Sequence, residues 1–198
     1  MDMDDAVGTI PEHRGPEVEN MARMTTLTPD SAPAGTRPLL DDVAALSGGR
    51  LLNLHTGLAN SPALLAQYLG LRRAIVDHQT LGARTGSALL LAVSSADRSP
   101  YSEAVAAQVA ARAGWTDEEM AELRSGTPRD ERLAALVAVA REAATGLGRV
   151  SDATWEAAKA AGWGETELAE AFAYIGLAVY VDLFTNYAGT ELDVPAGR

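Results

Sequence analysis

The sequence predicts an all-α protein, and three observations support that fold class. Apolar residues recur three and four positions apart along most of the chain, which places them on one face of an α-helix. Ser-Pro pairs, which favour helix starts, and glycines, which favour helix ends, separate these periodic segments. No stretch alternates polar and apolar residues for long enough to predict a β-strand.

The first predicted helices follow a polar N-terminal segment. Residues 1–37 are rich in Pro, Gly, Thr and acidic residues and lack apolar periodicity. They are predicted to form a flexible arm, with packing on a neighbouring subunit as the alternative. Residues 38–198 form the predicted helical domain. Its first helices are predicted at 38–46, 51–59 and 62–76, and Ser61 with Pro62 is the cap-plus-proline start of the third.

Two central helices are predicted next. Thr80 is expected to cap a helix whose apolar run covers residues 88–93. Ser99 and Pro100 then open a second helix, which ends at Gly114, the residue type that favours the left-handed conformation after a helix. The corner between these helices is a suitable place for a reactive group, because free N–H groups at a helix start favour developing negative charge.

The C-terminal third predicts four more helices. Thr116 and Glu119 have the spacing of a capping box, in which each side chain satisfies a free backbone N–H group of the other residue. The first of these helices is predicted to end near residue 124. The other three are predicted to span residues 130–145, 151–162 and 165–188. The last is apolar on most faces, which predicts burial within the domain or between subunits.

The sequence contains one internal repeat. Residues 111–123, ARAGWTDEEMAEL, and residues 159–171, KAAGWGETELAEA, share Ala-Gly-Trp at the same positions, and an acidic helix start follows each. Two interpretations are open. Helix–Gly–helix corners can converge on similar sequences, or the chain contains a duplicated helical hairpin. In the second case Trp115 and Trp163 are equivalent structural wedges under the two corners.

Charge and composition exclude several classes of function. The formal net charge is −11, and an acidic surface repels nucleic-acid backbones and anionic membranes. The N-terminal residues lack the pattern of a secretion signal, so a cytoplasmic location is expected. The chain has no cysteine, and no Gly-rich phosphate loop or metal-ligand spacing occurs. The sequence therefore predicts no metal, no cofactor, no nucleic-acid partner and no membrane partner.

Five ordered segments carry a family resemblance. They are PLLDDVAALSGGRLLNLHTGLANSPALLAQYL, TLGARTGSALLLAVSSADRSPYSEAVAAQVAARAGWTDEEM, RLAALVAVAREA, GRVSDATWEAAKAAGW and NYAGTELD, within residues 38–193. Together they resemble the alkylhydroperoxidase D / carboxymuconolactone decarboxylase family. The resemblance implies a helical bundle built on a repeated helical hairpin. It also implies a homo-oligomer, a trimer or a hexamer.

The chain departs from that family at the positions that carry its chemistry. The redox branch has a Glu, then Cys-x-x-Cys, then a His, and these positions fall on Ser87, Ser99, Ser102 and Ala106. The decarboxylase branch also relies on a His at the position of Ala106. Because no thiolate can form, reduction of peroxides or disulfides at this site is excluded. Ser87, Ser99, Ser102 and Ala106, with the neighbouring Tyr101, are predicted to line a binding pocket.

Two residues are the predicted proton carriers. His55 lies in a short apolar helix that the resemblance places near the pocket, and an imidazole can titrate near neutral pH. The alternative is a satisfied core or interface histidine. Asp182 lies in an apolar stretch, where burial raises the pKa of a carboxyl group. The alternative is an ion pair of Asp182 with an arginine such as Arg84 or Arg98.

These residues predict cofactor-independent acid/base chemistry on a small organic molecule, such as decarboxylation, isomerisation or cyclisation. A Ser nucleophile is disfavoured, because neither a base nor an orienting group accompanies Ser99 or Ser102 in the sequence. The alternative function is that of a non-catalytic binding or scaffold protein which has lost the peroxidase chemistry.

Overall fold

The chain folds into helices throughout the region that the computed structural model describes, residues 22–195. No strand occurs in that region, so the all-α prediction is confirmed. The helices are α1 (Arg37–Leu46), α2 (Asn53–Leu58), α3 (Pro62–His78), α4 (Gly82–Ala96), α5 (Pro100–Arg112), α6 (Asp117–Ser125), α7 (Glu131–Thr145), α8 (Asp152–Ala160) and α9 (Glu165–Ala188).

Helix α4 lies at the centre of the bundle and packs against α5, α6, α7 and α9. Its buried face includes Leu89, Leu91 and Val93, none of which is exposed to solvent. A second apolar cluster joins α1, α2 and α3 to α5 and the C-terminal half of α9. The two clusters meet along α9, so this helix holds both halves of the domain together.

Local signals set most helix ends as predicted. Ser61 caps α3 by accepting a hydrogen bond from the Leu64 N–H group, and Thr116 and Glu119 form the capping box of α6. Gly114 adopts φ +89° after α5. Thr80 does not cap α4, contrary to the prediction, because its hydroxyl donates to Glu170 and α4 begins later, at Gly82.

The segment before α1 packs on the domain over its described part. The Arg23 N–H group donates to the Ala188 carbonyl (2.8 Å), and Asn60 Nδ2 donates to the Thr25 carbonyl (2.9 Å). Ala32 is buried. These contacts attach residues 23–32 to the helical domain. The flexible arm predicted for residues 1–37 stays a prediction, and residues 1–21 lie outside the described part of the chain.

Helix α9 is long and apolar enough to cross a membrane by length and composition alone, with a mean hydropathy of 1.5 over its most apolar window. Half of that window is buried against other helices. Its neighbours are α2, α3, α4, α5 and α7. These contacts bury one side of α9 within the helical domain, in agreement with the prediction from its apolar faces.

The internal sequence repeat corresponds to a repeated contact between an arginine and a tryptophan. The Arg84 guanidinium lies 3.7 Å from the centre of the Trp115 ring, and the Arg132 guanidinium lies 3.9 Å from that of Trp163. Each indole N–H donates to the main-chain carbonyl of the same arginine, at 3.0 and 2.7 Å. Residue numbers rise by 48 between the copies (84 to 132 and 115 to 163). The two tryptophans therefore occupy equivalent positions under two helix corners.

Removing the indole N–H donor should lower the free energy of unfolding by the same amount at both helix corners. We expect Trp115→Phe and Trp163→Phe each to lower the free energy of unfolding by about 1 kcal/mol, since each removes the indole hydrogen bond to a main-chain carbonyl. Urea denaturation measures both values. Trp155→Phe is the matched control, because Trp155 is 38% exposed and should change stability by less than about 0.5 kcal/mol. A cost at one corner only would contradict structural equivalence.

Candidate functional site

Three hydroxyl groups meet where α4, α5 and α9 come together. Ser99 Oγ donates to Ser102 Oγ (2.9 Å), and both lie within hydrogen-bond distance of Thr185 Oγ1, at 3.1 and 3.2 Å. All three side chains are buried. Ser99 occupies the N-cap position of α5 as predicted, but its hydroxyl makes no capping bond because it joins this cluster.

Asp182 lies beside the hydroxyl cluster and is 1% exposed. Its Oδ1 accepts a hydrogen bond from Ser94 Oγ (2.9 Å), whereas its buried Oδ2 has no hydrogen-bond partner among the described residues. The alternative of an ion pair with Arg84 is not found, because Arg84 pairs with Glu119 at 2.7 Å. No ion pair within residues 22–195 includes Asp182.

The surroundings of Asp182 favour its neutral form. Burial is the main cause that raises the pKa of Asp182 from 3.8 to about 7, and the nearby Asp97 carboxylate acts in the same direction. The hydroxyls of Ser102 and Ser94 oppose the rise by stabilising the ionised carboxylate. Burial also raises the pKa of Asp97. A carboxyl group of this kind can both accept and give up a proton near neutral pH.

A narrow, mostly apolar cavity of about 60 Å³ lies over Ser94 and Ser102. Ala106, at the position where the family has its histidine, contributes to the wall. Asp182 does not line this cavity, but Ser94, which does, donates to its Oδ1, so a molecule in the cavity meets a serine hydroxyl first. Proton exchange between such a molecule and Asp182 would therefore pass through one of these hydroxyls.

His55 belongs to a separate polar group and is 2% exposed. Its Nδ1 accepts a hydrogen bond from the Leu52 N–H group (3.1 Å), so the neutral ring carries its proton on Nε2, which lies 3.1 Å from Tyr68 Oη. Burial, assisted by the positive charge of Arg72, lowers the pKa of His55 to about 4. In this geometry both ring nitrogens are hydrogen-bonded within the protein, so the imidazole has no free lone pair to take a proton from a substrate. The role of His55 as a base stays a prediction.

Tyr101 and Ser87 lie apart from the hydroxyl cluster. Tyr101 Oη donates to Asp193 Oδ1 (2.8 Å) and accepts from the Leu54 N–H group (3.0 Å), so it ties α5 to α2 and to the C-terminal segment. Burial raises the pKa of Tyr101. Ser87 donates to the Arg84 carbonyl (2.8 Å) and lines a different cavity, of about 160 Å³, along the same face of α4.

The structure thus places the predicted residues in three groups. Ser99, Ser102, Ala106 and Asp182 lie together. His55 on α2 and Tyr101 beside it form the second group, and Ser87, which accepts a hydrogen bond from Trp115 Nε1, lies apart from both. No group of three or more acidic or histidine side chains within residues 22–195 has the geometry to hold a metal ion. Ser94, Asp97 and Thr185 also belong to the site, although the sequence did not predict them. The spacing of Ser94 to Asp97 and of Asp182 to Thr185 places each pair on one helix face, a signal that could have indicated them.

Comparison with known proteins supports the fold. No protein-family model matches the sequence, and no curated protein sequence matches it. Similar solved structures include the debrominase Bmp8 bound to 2,3,4-tribromopyrrole, which is 17% identical with a TM-score of 0.73 over 86% of this chain and 91% of that one. An uncharacterised peroxidase-related protein from Ralstonia eutropha JMP134, described as an alkylhydroperoxidase AhpD core, is 15% identical with a TM-score of 0.74 over 87% and 92%.

A third similar structure is an uncharacterised peroxidase-related protein from Silicibacter sp. TM1040. It is 12% identical, and the TM-score is 0.74 over 89% of this chain and 94% of that one. These identities are low, but the coverage shows that the helices correspond along nearly the whole length of both chains. The chain therefore has the alkylhydroperoxidase AhpD-like fold, without the cysteines that thiol chemistry needs.

Proposed function

We propose that the cavity over Ser94 and Ser102 carries out cofactor-independent acid/base chemistry on a small organic molecule, with Asp182 as the proton carrier. The observation that supports this most directly is the arrangement of the carboxyl group. Within residues 22–195, Asp182 is fully buried, unpaired with any cation and without a partner at Oδ2, yet two of its neighbours line a cavity. Burying such a group costs stability, so a role in chemistry is a physical reason for its presence.

The proton would move through a serine hydroxyl. Ser94 Oγ already donates its proton to Asp182 Oδ1. When a substrate C–H or O–H group gives a proton to Ser94 Oγ, the serine can pass its own proton to the carboxylate, and the reverse sequence returns a proton to the substrate. The neutral carboxylic acid and the carboxylate are both accessible near neutral pH, which suits a reversible transfer.

The protein's own chemistry suggests a test that needs no known substrate. Small ketones, lactones and carboxylic acids are incubated with the protein in D2O, and NMR measures exchange of deuterium into their acidic C–H positions. We expect Asp182→Asn to lower the exchange rate of an active compound by about 100-fold or more, because the acid/base group is lost. Asp77→Asn removes an exposed carboxylate from α3 and is the matched control.

The outcomes separate the two candidate functions. Full exchange activity in Asp182→Asn would contradict the assignment of Asp182, and loss in His55→Gln with retention in Asp182→Asn would assign the role to His55. No exchange with any compound would favour the non-catalytic binding or scaffold protein. The cytoplasmic location remains a prediction.

A homo-oligomer, trimer or hexamer, is part of the same proposal. Helix α9 exposes apolar side chains in a row along one face, with exposed fractions of 60% for Phe172, 66% for Leu183 and 71% for Tyr187. Exposed apolar rows of this kind are typical of subunit interfaces. Measurement of the molar mass in solution tests the proposal.

A further inference from the structure

A cavity larger than the two described above opens between α2, α3 and α5, and its charged side chains are all positive. Its volume is about 240 Å³, and its charged residues are Arg50, Arg72 and Arg112. No aspartate or glutamate of the described segment lines it. This charge contrasts with the whole chain, whose formal net charge is −11. A cationic cavity in an acidic protein concentrates anions where the remaining surface repels them.

The three arginines lack the carboxylate partners that other arginines of this chain have. Arg73, next to Arg72 on α3, pairs with Asp42 at 2.7 Å. No ion pair within residues 22–195 includes Arg50, Arg72 or Arg112. Arg50 Nη2 donates instead to a main-chain oxygen, the carbonyl of Asp193 (2.8 Å).

Arg72 is the best placed of the three to bind a ligand. Its Nη1 donates to Tyr68 Oη (3.1 Å), which anchors the guanidinium at the cavity wall. The Asp193 carboxylate is close enough to His55 to raise its pKa, but it does not line the cavity and already accepts from the Asn53 N–H group and Tyr101 Oη. The remaining N–H groups of Arg72 therefore have no acceptor of opposite charge among the described residues.

The cationic cavity shares part of its wall with the narrow cavity over Ser94 and Ser102. Both are lined by Tyr68, Arg72 and Val109. A molecule with an anionic group at Arg72 can thus extend an apolar part of a few atoms toward the serines. The shape selects a small amphiphilic molecule with its charge at one end.

We infer that this cavity binds the carboxylate of a small organic acid, with Arg72 and Arg112 as the anion-binding residues and the apolar end of the ligand directed toward Ser94 and Ser102. A planar guanidinium can donate two parallel hydrogen bonds to a carboxylate, which gives direction as well as attraction. The inference deepens the proposed function and rests on it for the direction of the ligand, because it names the substrate class of the same cleft.

The test compares an anion with its neutral isostere. ¹⁹F NMR titrations measure binding of 4-fluorobenzoate and 4-fluorobenzamide to the whole protein in a buffer of low chloride content. We expect the benzoate to bind at least about tenfold more tightly, a difference of about 1.4 kcal/mol. Arg72→Gln should abolish this preference, Arg112→Gln should reduce it, and Arg72→Lys, which retains the charge, should keep part of it.

Arg73→Gln is the matched control, since it removes the same charge from the adjacent position outside the cavity and should leave the preference unchanged. Circular dichroism confirms that each variant is folded. Equal binding of the two probes, an unchanged preference in Arg72→Gln, or no binding of the benzoate at millimolar concentration would overturn the inference.

Asp182→Asn separates this inference from the proposed function. The variant should bind 4-fluorobenzoate as the wild type does while losing deuterium exchange. Anion preference without any dependence of exchange on Asp182 would overturn the acid/base role alone. Asp182-dependent exchange with no anion preference would overturn the anion site alone.

Discussion

Asp182→Asn should make the free energy of unfolding rise by about 2 kcal/mol between pH 5 and pH 7, whereas the free energy of unfolding of the wild type should change much less. The reason is that two buried groups oppose each other in the wild type. The pKa of Asp182 is raised from 3.8 to about 7, and the pKa of His55 is lowered from 6.5 to about 4.

The sign of each contribution follows from which state binds the proton. Between pH 4 and pH 7 the folded state keeps the Asp182 proton that the unfolded state has lost, so this group lowers stability as the pH rises. Below pH 6.5 the unfolded state protonates His55 while the folded state does not, so this group lowers stability as the pH falls. Between about pH 5 and pH 6.5 the two contributions change the free energy of unfolding in opposite directions and largely cancel.

Each single variant removes one of the two opposing contributions to the free energy of unfolding. In Asp182→Asn only the His55 contribution remains, so stability falls toward acid pH. In His55→Gln only the Asp182 contribution remains, and stability should fall by about 2–3 kcal/mol from pH 5 to pH 8.

Urea denaturation at several pH values between 5 and 8 measures these profiles. His78→Gln is the matched control, because His78 is exposed at the end of α3 and its loss should leave the wild-type profile unchanged. A flat profile for Asp182→Asn would mean that the pKa of His55 is not lowered in the folded state. A flat profile for His55→Gln would mean that the folded state does not keep the Asp182 proton above pH 5. The proposed role of Asp182 would then lose its physical basis.

Most of the fold follows from local sequence signals. The Ser61-Pro62 start, the Thr116 and Glu119 capping box and the glycine after α5 each act within one helical turn, so sequence reasoning places them within a few residues. Thr80 is the exception, because a residue 90 positions away, Glu170, takes its hydroxyl. Tertiary contacts override local signals where a distant partner competes for the same group.

The site was predictable in part for the same reason. Ser99 and Ser102 share a helix face, and Asp182 stands out as a carboxylate in an apolar stretch, so all three were indicated. The approach of Asp97 to Asp182 was not, because 85 positions separate them (182 − 97) and no local pattern joins them. Arg72 and Arg73 look alike in the sequence. Only the tertiary fold places Arg72 in the wall of a cavity and pairs Arg73 with Asp42 at the surface.

Gly86→Ala should be strongly destabilising, by about 2–3 kcal/mol, even though alanine favours helices. Gly86 lies on α4 where α9 crosses it, and a Cβ atom there would overlap Cε1 of Tyr174 and stand 2.5 Å from its Cζ. The ring cannot move aside freely, because Tyr174 is 4% exposed and its hydroxyl donates to Gln79 Oε1 (3.0 Å). The two helices must therefore separate.

Gly70→Ala is the matched control for this substitution. Gly70 lies in the middle of α3, and a Cβ atom added there has no heavy atom within 4 Å among the described residues. The same change should therefore raise the free energy of unfolding by about 0.5–1 kcal/mol, since alanine loses less backbone freedom than glycine on folding. Urea denaturation measures both variants. Similar effects at the two positions would contradict the close approach of α4 and α9.

The Gly86 contact also bears on the site, because α4 and α9 run side by side in the same direction. Gly86 meets Tyr174, and eight residues further along each helix, about 12 Å away, Ser94 donates to Asp182. Separation of the helices at the first contact lengthens the second. Tyr174→Leu removes the ring that a new Cβ atom would strike, so Gly86→Ala should cost at least about 1 kcal/mol less in that background. Equal costs in both backgrounds would place the strain elsewhere than at this crossing.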